Sequence, residues 1–435
     1  MKICGEAVTR PLSREVLLER SRHNSDRVVI TGLGTVCPLG LSTAETWESL
    51  LSGRSAVRSV EDFSTEGFPS RIAAQVRGFD ATNFLDRKEV RRMGRFTQLA
   101  MGALHEAVAQ SGLKLEAEDP TRVGLQIGTA IGGIAAIEEQ ALILHAEGPR
   151  RLNPTMAPTV IVSAASCYVA VLLGIKGPTN SPAAACATGV VALGDSLRWL
   201  QRGDVDVVLA GGTDSAISPL ALASFGRLGA LSGRNDDPEH ACRPFDVDRD
   251  GTVLGEGAAV MVLETEAHAR KRGAPILAEL AGFGFTEDAF HITAPEPDGS
   301  GAARAMALAL ADAGIGPDEV DYIVPHATGT PLNDTSETLA IQRVFGERAA
   351  RIPLSSNKGG MGHTLGAAGA ISAVVGVECI QQGLVPPTAN LMRPDPACPL
   401  DHVFPEKRAL RVDTVLINAF GFGGQNGCLV LKSWR

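Results

Sequence analysis

The chain is poor in rings. Aromatic residues fill 4% of its 435 positions, as 14 Phe, 3 Trp and 2 Tyr. Such a core must be packed from Ala, Val, Ile and Leu, with turns drawn from 48 Gly and 25 Pro. There is no basic excess. Lys and Arg total 40 against 49 Asp and Glu, a net charge of −9. A general nucleic-acid surface is not expected, because phosphate neutralisation needs surplus cations, although local basic patches stay open. The eight cysteines show no CxxC and no paired spacing. That speaks against a disulfide framework and a clustered zinc site, and for a reducing, cytoplasmic compartment. No stretch reaches the ~18 uninterrupted apolar residues of a membrane helix. Residues 160–175 come nearest, carry serines and a glycine, and read as a buried helix.

The first 26 residues lack the apolar middle of a secretory signal, and their acids Glu6, Glu15 and Glu19 argue against a transit peptide. They read as an addition to the fold, an exposed short helix or a flexible tail. The fold then opens on a β-branched run, residues 27–34, that ends in glycine. Strands are expected near 122–128, 206–212, 258–264, 276–285, 321–325, 352–356 and 415–419. Helices are expected near 44–51, 97–110, 188–202, 301–313 and 367–382. Alternating strands and helices imply layered α/β structure with buried sheets. No linker or charge block divides the chain, so two intimately packed halves are expected, 27–275 and 276–435.

Cys186 stands in Ala183-Ala-Ala-Cys-Ala-Thr-Gly189, just before an expected helix. A thiol there faces unpaired N–H groups and the positive end of the dipole, which lower its pKa. A buried, inert cysteine is the plainer alternative. His326 and His363 each follow a strand in a glycine-rich loop, where open α/β folds place their sites. Either alone reads as a structural histidine. With Cys186 they offer a nucleophile and two imidazole donors. Lys358 shares the His363 loop and could pair with Glu337 if the loops meet. Zinc on Cys186, His326 and His363 is disfavoured by their scattered spacing. Phe420-Gly-Phe-Gly-Gly424 has no phosphate-loop spacing; it is a plain turn or a source of N–H groups for an anionic intermediate.

Taken in order, several motifs resemble those of the elongating β-ketoacyl-[acyl-carrier-protein] synthases. They are Val28-Val-Ile-Thr-Gly-Leu-Gly34, Ala185-Cys-Ala-Thr-Gly189, and Arg243-Pro-Phe-Asp-Val-Asp-Arg-Asp-Gly251 with Gly255-Glu-Gly257. The His326 loop, Lys358 to Gly369, and Gly421-Phe-Gly-Gly424 complete the set. The likeness spans nearly everything after residue 26. It implies a thiolase-like α-β-α-β-α fold of two duplicated halves, and a homodimer. Cys186 would hold the acyl chain, with the N–H groups of Cys186 and Phe422 as oxyanion hole. His326 and His363 would bind the malonyl thioester and help its decarboxylation, supported by Lys358 and Glu337 as a charged pair.

The same resemblance implies pantetheine contacts from Thr328 and Thr330, with Phe420 beside them and Phe422 as a gate. It places Ile131 and Phe225 on the acyl pocket. Lys88, Arg91 and Arg92, in Arg87-Lys-Glu-Val-Arg-Arg-Met-Gly-Arg95, would dock an acidic acyl carrier protein. A neighbouring docking arginine is replaced by Gly229, with Arg227 two residues away. No metal, nucleotide or flavin is called for, and no membrane or nucleic-acid partner. Departures are Ser355-Ser-Asn-Lys-Gly-Gly-Met-Gly-His363, Ala327 where glycine is commoner, and Gly423-Gly-Gln-Asn426. They remove no catalytic group. They keep open a type II polyketide or specialised-lipid pathway, with a chain-length-factor partner. Cys186 and both histidines argue against the non-catalytic partner itself. The lack of a cysteine between Phe420 and Gly424 argues against a thiolase.

Overall fold

The computed structural model describes residues 27–435, so the reading of residues 1–26 lies outside the described residues. The first half contributes β1 (Val28–Val36), α1 (Arg95–Ser111), β2 (Val123–Gly128), α2 (Ala164–Leu173), β3 (Thr179–Asn180), α3 (Thr188–Gln201), β4 (Val207–Asp214) and β5 (Gly257–Thr265). The second half contributes β6 (Ala278–Glu287), α4 (Ser300–Asp312), β7 (Tyr322–Val324), α5 (Pro331–Phe345), β8 (Pro353–Leu354), α6 (Ala368–Gln382), β9 (Asp401–His402), β10 (Thr414–Gly421) and β11 (Gln425–Lys432). The expected strands and helices recur here with ends moved by a few residues.

The strands run β3-β2-β4-β5-β1 in the first half and β6-β11-β10-β7-β8-β9 in the second. The two sheets are stitched by a short antiparallel ladder, Val29 to Glu279 and Ile30 to Ala278. Their patterns of pairing repeat. β1–β5 and β5–β4 are antiparallel, then β4–β2 and β2–β3 parallel. Likewise β6–β11 and β11–β10 are antiparallel, then β10–β7 and β7–β8 parallel. Each strand of the first half has a counterpart in the second, which adds the edge strand β9.

Buried faces on both sides explain why the strands are near-continuous apolar runs; β1, β4 and β5 are buried throughout. Helices α3 and α6 lie between the sheets and share one core with Leu193, Leu197, Ile371 and Val375. A Leu193→Ala truncation in this layer would cost about 2–5 kcal/mol. Residues 365–382 are long and apolar enough to pass for a membrane span, but 78% of them is buried inside the protein. Helices α1 and α2 cover the outside of the first sheet, and α4 and α5 that of the second. The result is the five-layered α-β-α-β-α arrangement. The expectation that residues 160–175 form a buried helix needs correction. Only Ala164, Ala165, Ser166 and Val169 of α2 are buried, and Val171 is 80% exposed.

The layering fixes where chemistry can occur. Cys186 lies between β3 and α3, and His363 between β8 and α6, which are equivalent places in the two halves. Cys186 is the middle residue of the 3-10 turn Ala185–Ala187, and His363 lies just before the 3-10 turn Leu365–Ala367; each turn runs into a central helix. His326 lies two residues past the end of β7, after Pro325.

Candidate active site

The Cys186 turn is held from below by Thr188. Its hydroxyl donates to the Ala185 carbonyl at 2.7 Å and accepts from the Ala184 N–H at 2.8 Å. Gly189 is required next to it, since a Cβ there would stand 2.6 Å from the Ala370 nitrogen, at the crossing of α3 and α6. The residue opening each turn is left-handed, Ala185 at φ 46° and Leu365 at φ 49°, and Ala327 beside His326 is at φ 30°. For non-glycine residues such angles are held only by surrounding structure, and they cluster at sites.

The three loops meet. Ligand atoms of Cys186, His326 and His363 all lie within 4.8 Å of one another. The two imidazole rings are 5.3 Å apart and edge-on, at 81°. Phe420 packs 5.7 Å from the His326 ring. Glu337 accepts from the backbone N–H groups of His326 at 2.8 Å and Ala327 at 2.7 Å. Lys358 donates its ammonium to the His326 carbonyl. The expected Glu337–Lys358 pair is therefore corrected. The two make no ion pair within 4.0 Å; they grip the same peptide segment from its N–H and C=O sides. Asn418 adds a bond to Glu337 at 3.0 Å.

The electrostatics correct a second expectation. The lowering expected at the helix start is outweighed: burial pushes the Cys186 thiol up to about 12, against the pull of the Lys358 charge. Asp214 pushes the same way as burial, while the N–H groups of Phe422 and of Cys186 itself pull it down. Water is excluded too thoroughly for these pulls to win. Burial first, then the Lys358 charge, drives both imidazoles well below their ordinary value. The site thus rests as a neutral thiol beside two neutral imidazoles. His363 has no hydrogen-bond partner on either ring nitrogen, and His326 none on Nδ1. Buried polar atoms are normally paired, so these are left for an incoming group.

A cavity of about 390 Å³ opens onto the three side chains. Thr328, Thr330, Phe225, Phe420 and Phe422 line it, as does Gly229. The two threonine hydroxyls are 3.0 Å apart, and Thr330 also caps α5 through the Asn333 N–H. The Phe225 and Phe422 rings stack at 6.3 Å, and Phe422 is 37% exposed. Ile131 does not line the cavity; it packs into the apolar cluster that holds Cys186, Leu365 and Phe225. Lys88, Arg91 and Arg92 are exposed on and just after a one-turn helix, Arg87–Val90, outside the cavity lining. Arg92 is paired with Glu89, whereas Lys88 and Arg91 have no carboxylate within 4.0 Å among the described residues. Arg95 leaves the basic stretch, because Glu256 holds it through two bonds of 2.7 and 2.8 Å.

Two residues escaped the reading of the sequence. Asn418 steadies Glu337. Asp214, wholly buried at the end of β4, accepts from the Thr129 hydroxyl and the Ala130, Ile131 and Gly366 N–H groups. It rivets the turn after β2 to the turn after His363, and burial raises it to about 6. A carboxylate closing the apolar run 207–212 was the available clue.

A buried thiol beside two imidazoles, at the loops of a duplicated five-layered α/β fold, marks a thiolase-like architecture. Residues 25–269 match the family described as beta-ketoacyl synthase, N-terminal domain, and residues 277–392 match its C-terminal domain. The chain is 46% identical over 406 residues to "3-oxoacyl-[acyl-carrier-protein] synthase 2" of Coxiella burnetii, covering 93% of this chain and 98% of that protein. The equally named protein of Staphylococcus aureus is 42% identical over 94% of this chain and 99% of its own length. Among solved structures, a beta-ketoacyl synthase from Burkholderia phymatum superposes with TM-score 0.88 at 38% identity, covering 94% and 100%. A type II polyketide ketosynthase complex with its acyl-carrier protein gives TM-score 0.87 at 35% identity, over the same shares. The chain belongs to the beta-ketoacyl synthase family and is an acyltransferase.

Proposed function

We propose that the chain, as halves 27–275 and 276–435, condenses a Cys186-bound acyl group with malonyl-acyl-carrier protein in fatty-acid-type elongation. The observation that carries this is the convergence of Cys186, His326 and His363 within 4.8 Å on the floor of one cavity. The thiol attacks an acyl thioester, and its proton ends on the departing pantetheine sulfur, so the exchange leaves no net charge. The N–H groups of Cys186 and Phe422 receive the oxyanion. Malonyl thioester then enters, its carbonyl held by the neutral imidazoles of His326 and His363. Loss of carbon dioxide leaves an enolate whose oxygen these donors stabilise. Its carbon attacks the acyl-cysteine, the C–S bond breaks, and the released thiolate takes a proton from solvent. The product is 3-oxoacyl-carrier protein.

Lys358 and Glu337 fix His326 through its backbone. Thr328 and Thr330 contact the pantetheine arm beside Phe420, Phe422 gates the passage, and Phe225 and Ile131 bound the acyl side. Lys88, Arg91 and Arg92 dock the acidic carrier. The site uses no metal or organic cofactor, and the enzyme works in the cytoplasm. A second copy covers the face around edge strand β3, where Ile161, Val162, Val171 and Leu172 are exposed. A Val171→Glu change there would shift the protein to monomer in sedimentation.

The test is intact-protein mass spectrometry after exposure to a panel of acyl-carrier proteins, followed by a malonyl-carrier chase. An acyl adduct absent in Cys186→Ala, and converted to 3-oxoacyl product, supports the reading; no adduct from any donor refutes it. A polyketide role with a chain-length-factor partner is the second reading. The polyketide ketosynthase neighbour at 35% identity favours it. Repeated extension without β-reduction in the chase would select it.

A further inference from the structure

We propose that Cys186, His326 and His363 bind a single thiophilic divalent cation of the zinc class, and that its occupancy blocks acylation of Cys186. The blocking half rests on the reading of Cys186 as nucleophile; the binding half does not. The three side chains are the only such group among the described residues, and they are 7%, 3% and 5% exposed. The second observation is the unpaired state of His363 Nδ1, His363 Nε2 and His326 Nδ1. Polar atoms so deeply enclosed normally have partners, and a lone pair on neutral imidazole is a ligand.

The distances suit such an ion. Zinc sits about 2.3 Å from sulfur and about 2.0 Å from imidazole nitrogen, which places tetrahedral ligands roughly 3.5 Å apart. Closing from 4.8 Å asks each side chain to move by less than about 1 Å. All three line the cavity, which provides access and leaves the fourth position to water. One sulfur and two imidazoles are a zinc-type donor set. Binding breaks the S–H bond and forms a sulfur–metal bond, and the proton leaves to solvent. Lys358 sets the selectivity. Its ammonium, bonded to the His326 carbonyl, repels any cation, so only one that gains strongly from sulfur enters. Magnesium and calcium, which prefer oxygen, stay out.

The test uses the full-length protein, stripped with a chelator and then titrated with zinc. Iodoacetamide labelling of Cys186, read by peptide mass spectrometry, should slow at least tenfold at one equivalent. Chelator should restore it, and magnesium should leave it unchanged. Cadmium in place of zinc should give one equivalent of ultraviolet cadmium–thiolate charge-transfer absorption. That band should vanish in Cys186→Ser, and binding should weaken at least tenfold in His363→Ala. Unchanged wild-type labelling under saturating zinc overturns the proposal and needs no variant to fold. A band that survives in Cys186→Ser overturns it as well. Acyl loading of the metal-free enzyme is measured alongside. Its absence refutes the nucleophile reading and with it the blocking claim, while labelling and absorption decide binding on their own.

Discussion

Where β1 begins and β5 ends, Glu264 is fully enclosed and accepts from Arg272, from His268 at 2.6 Å and from Thr31. His268 turns its other nitrogen to Glu118 at 3.0 Å, and Arg272 also reaches the Ser111 carbonyl. At the opposite end of the same sheet, beyond Asp214 and Gly257, the imidazoles of His326 and His363 keep unpaired nitrogens. Glu264 at one end and both imidazoles at the other are buried. At the first, opposite charges are matched; at the second, burial has stripped charge from the thiol and the imidazoles and left their valences open. The paired end ties the fold together, and the unpaired end is the one the proposed function assigns to substrate.

Substitutions should separate the two ends. The largest effect is expected from Cys186→Ala, with condensation reduced by on the order of 10⁴-fold or more and the denaturation midpoint nearly unchanged. A mutant that keeps acyl exchange would remove the thiol from the mechanism. Next comes Glu264→Gln, which strands Arg272 and His268 and should cost about 3–5 kcal/mol in urea unfolding. Its kcat per folded molecule should match wild type; a drop in kcat would mean the ends are coupled. Lys358→Met should lower kcat by about 10²-fold at similar stability, because the His326 carbonyl loses its donor.

The response to pH sharpens the contrast. Burial works against the Glu264 carboxylate, but Arg272, His268 and Thr31 overcome it and hold the group at about 2. Its contribution, about 3 kcal/mol, is complete above 4.5 and lost as pH falls through 2. The same contact raises His268. That contribution is complete below 6.5 and fades as pH rises through the raised value. Unfolding free energy measured across pH should show both slopes, and Glu264→Gln should flatten them. The active-site end should respond differently. With both histidines depressed, the acid limb of the condensation rate should lie below 6.5. With the thiol near 12, labelling of Cys186 should keep rising past the pH where an ordinary thiol levels off. The smallest effect is expected from Ala327→Gly, which relieves a φ of 30° and should raise stability by at most about 1 kcal/mol.

Much of this was legible in the chain. Period and composition located α3 to within one residue of its end, and the run 27–34 as the opening strand. Cys186 before a helix, and two histidines after strands, marked the site. What could not be read were quantities that depend on enclosure. Position at a helix start argued for an acidic thiol, but depth of burial reversed the sign. Spacing could not show that His326 and Cys186, 140 positions apart in number, line the same cavity. Glu337 and Lys358 carried opposite charges, which suggested a direct bond; the peptide between them was invisible to a charge count. Asp214 was passed over because a lone acid after glycines looks like any turn.

The recurrence of one strand pattern in both halves has a consequence for how the catalyst came to be whole. The turn opening α3 carries the thiol, and its twin opening α6 follows an imidazole. Cys186 comes from the first half and both histidines from the second, so neither half, expressed alone, holds more than part of the cluster. Mixing the two polypeptides in trans should be the minimum needed to assemble it, and joining them in one chain guarantees that every Cys186 is made with its own pair of histidines.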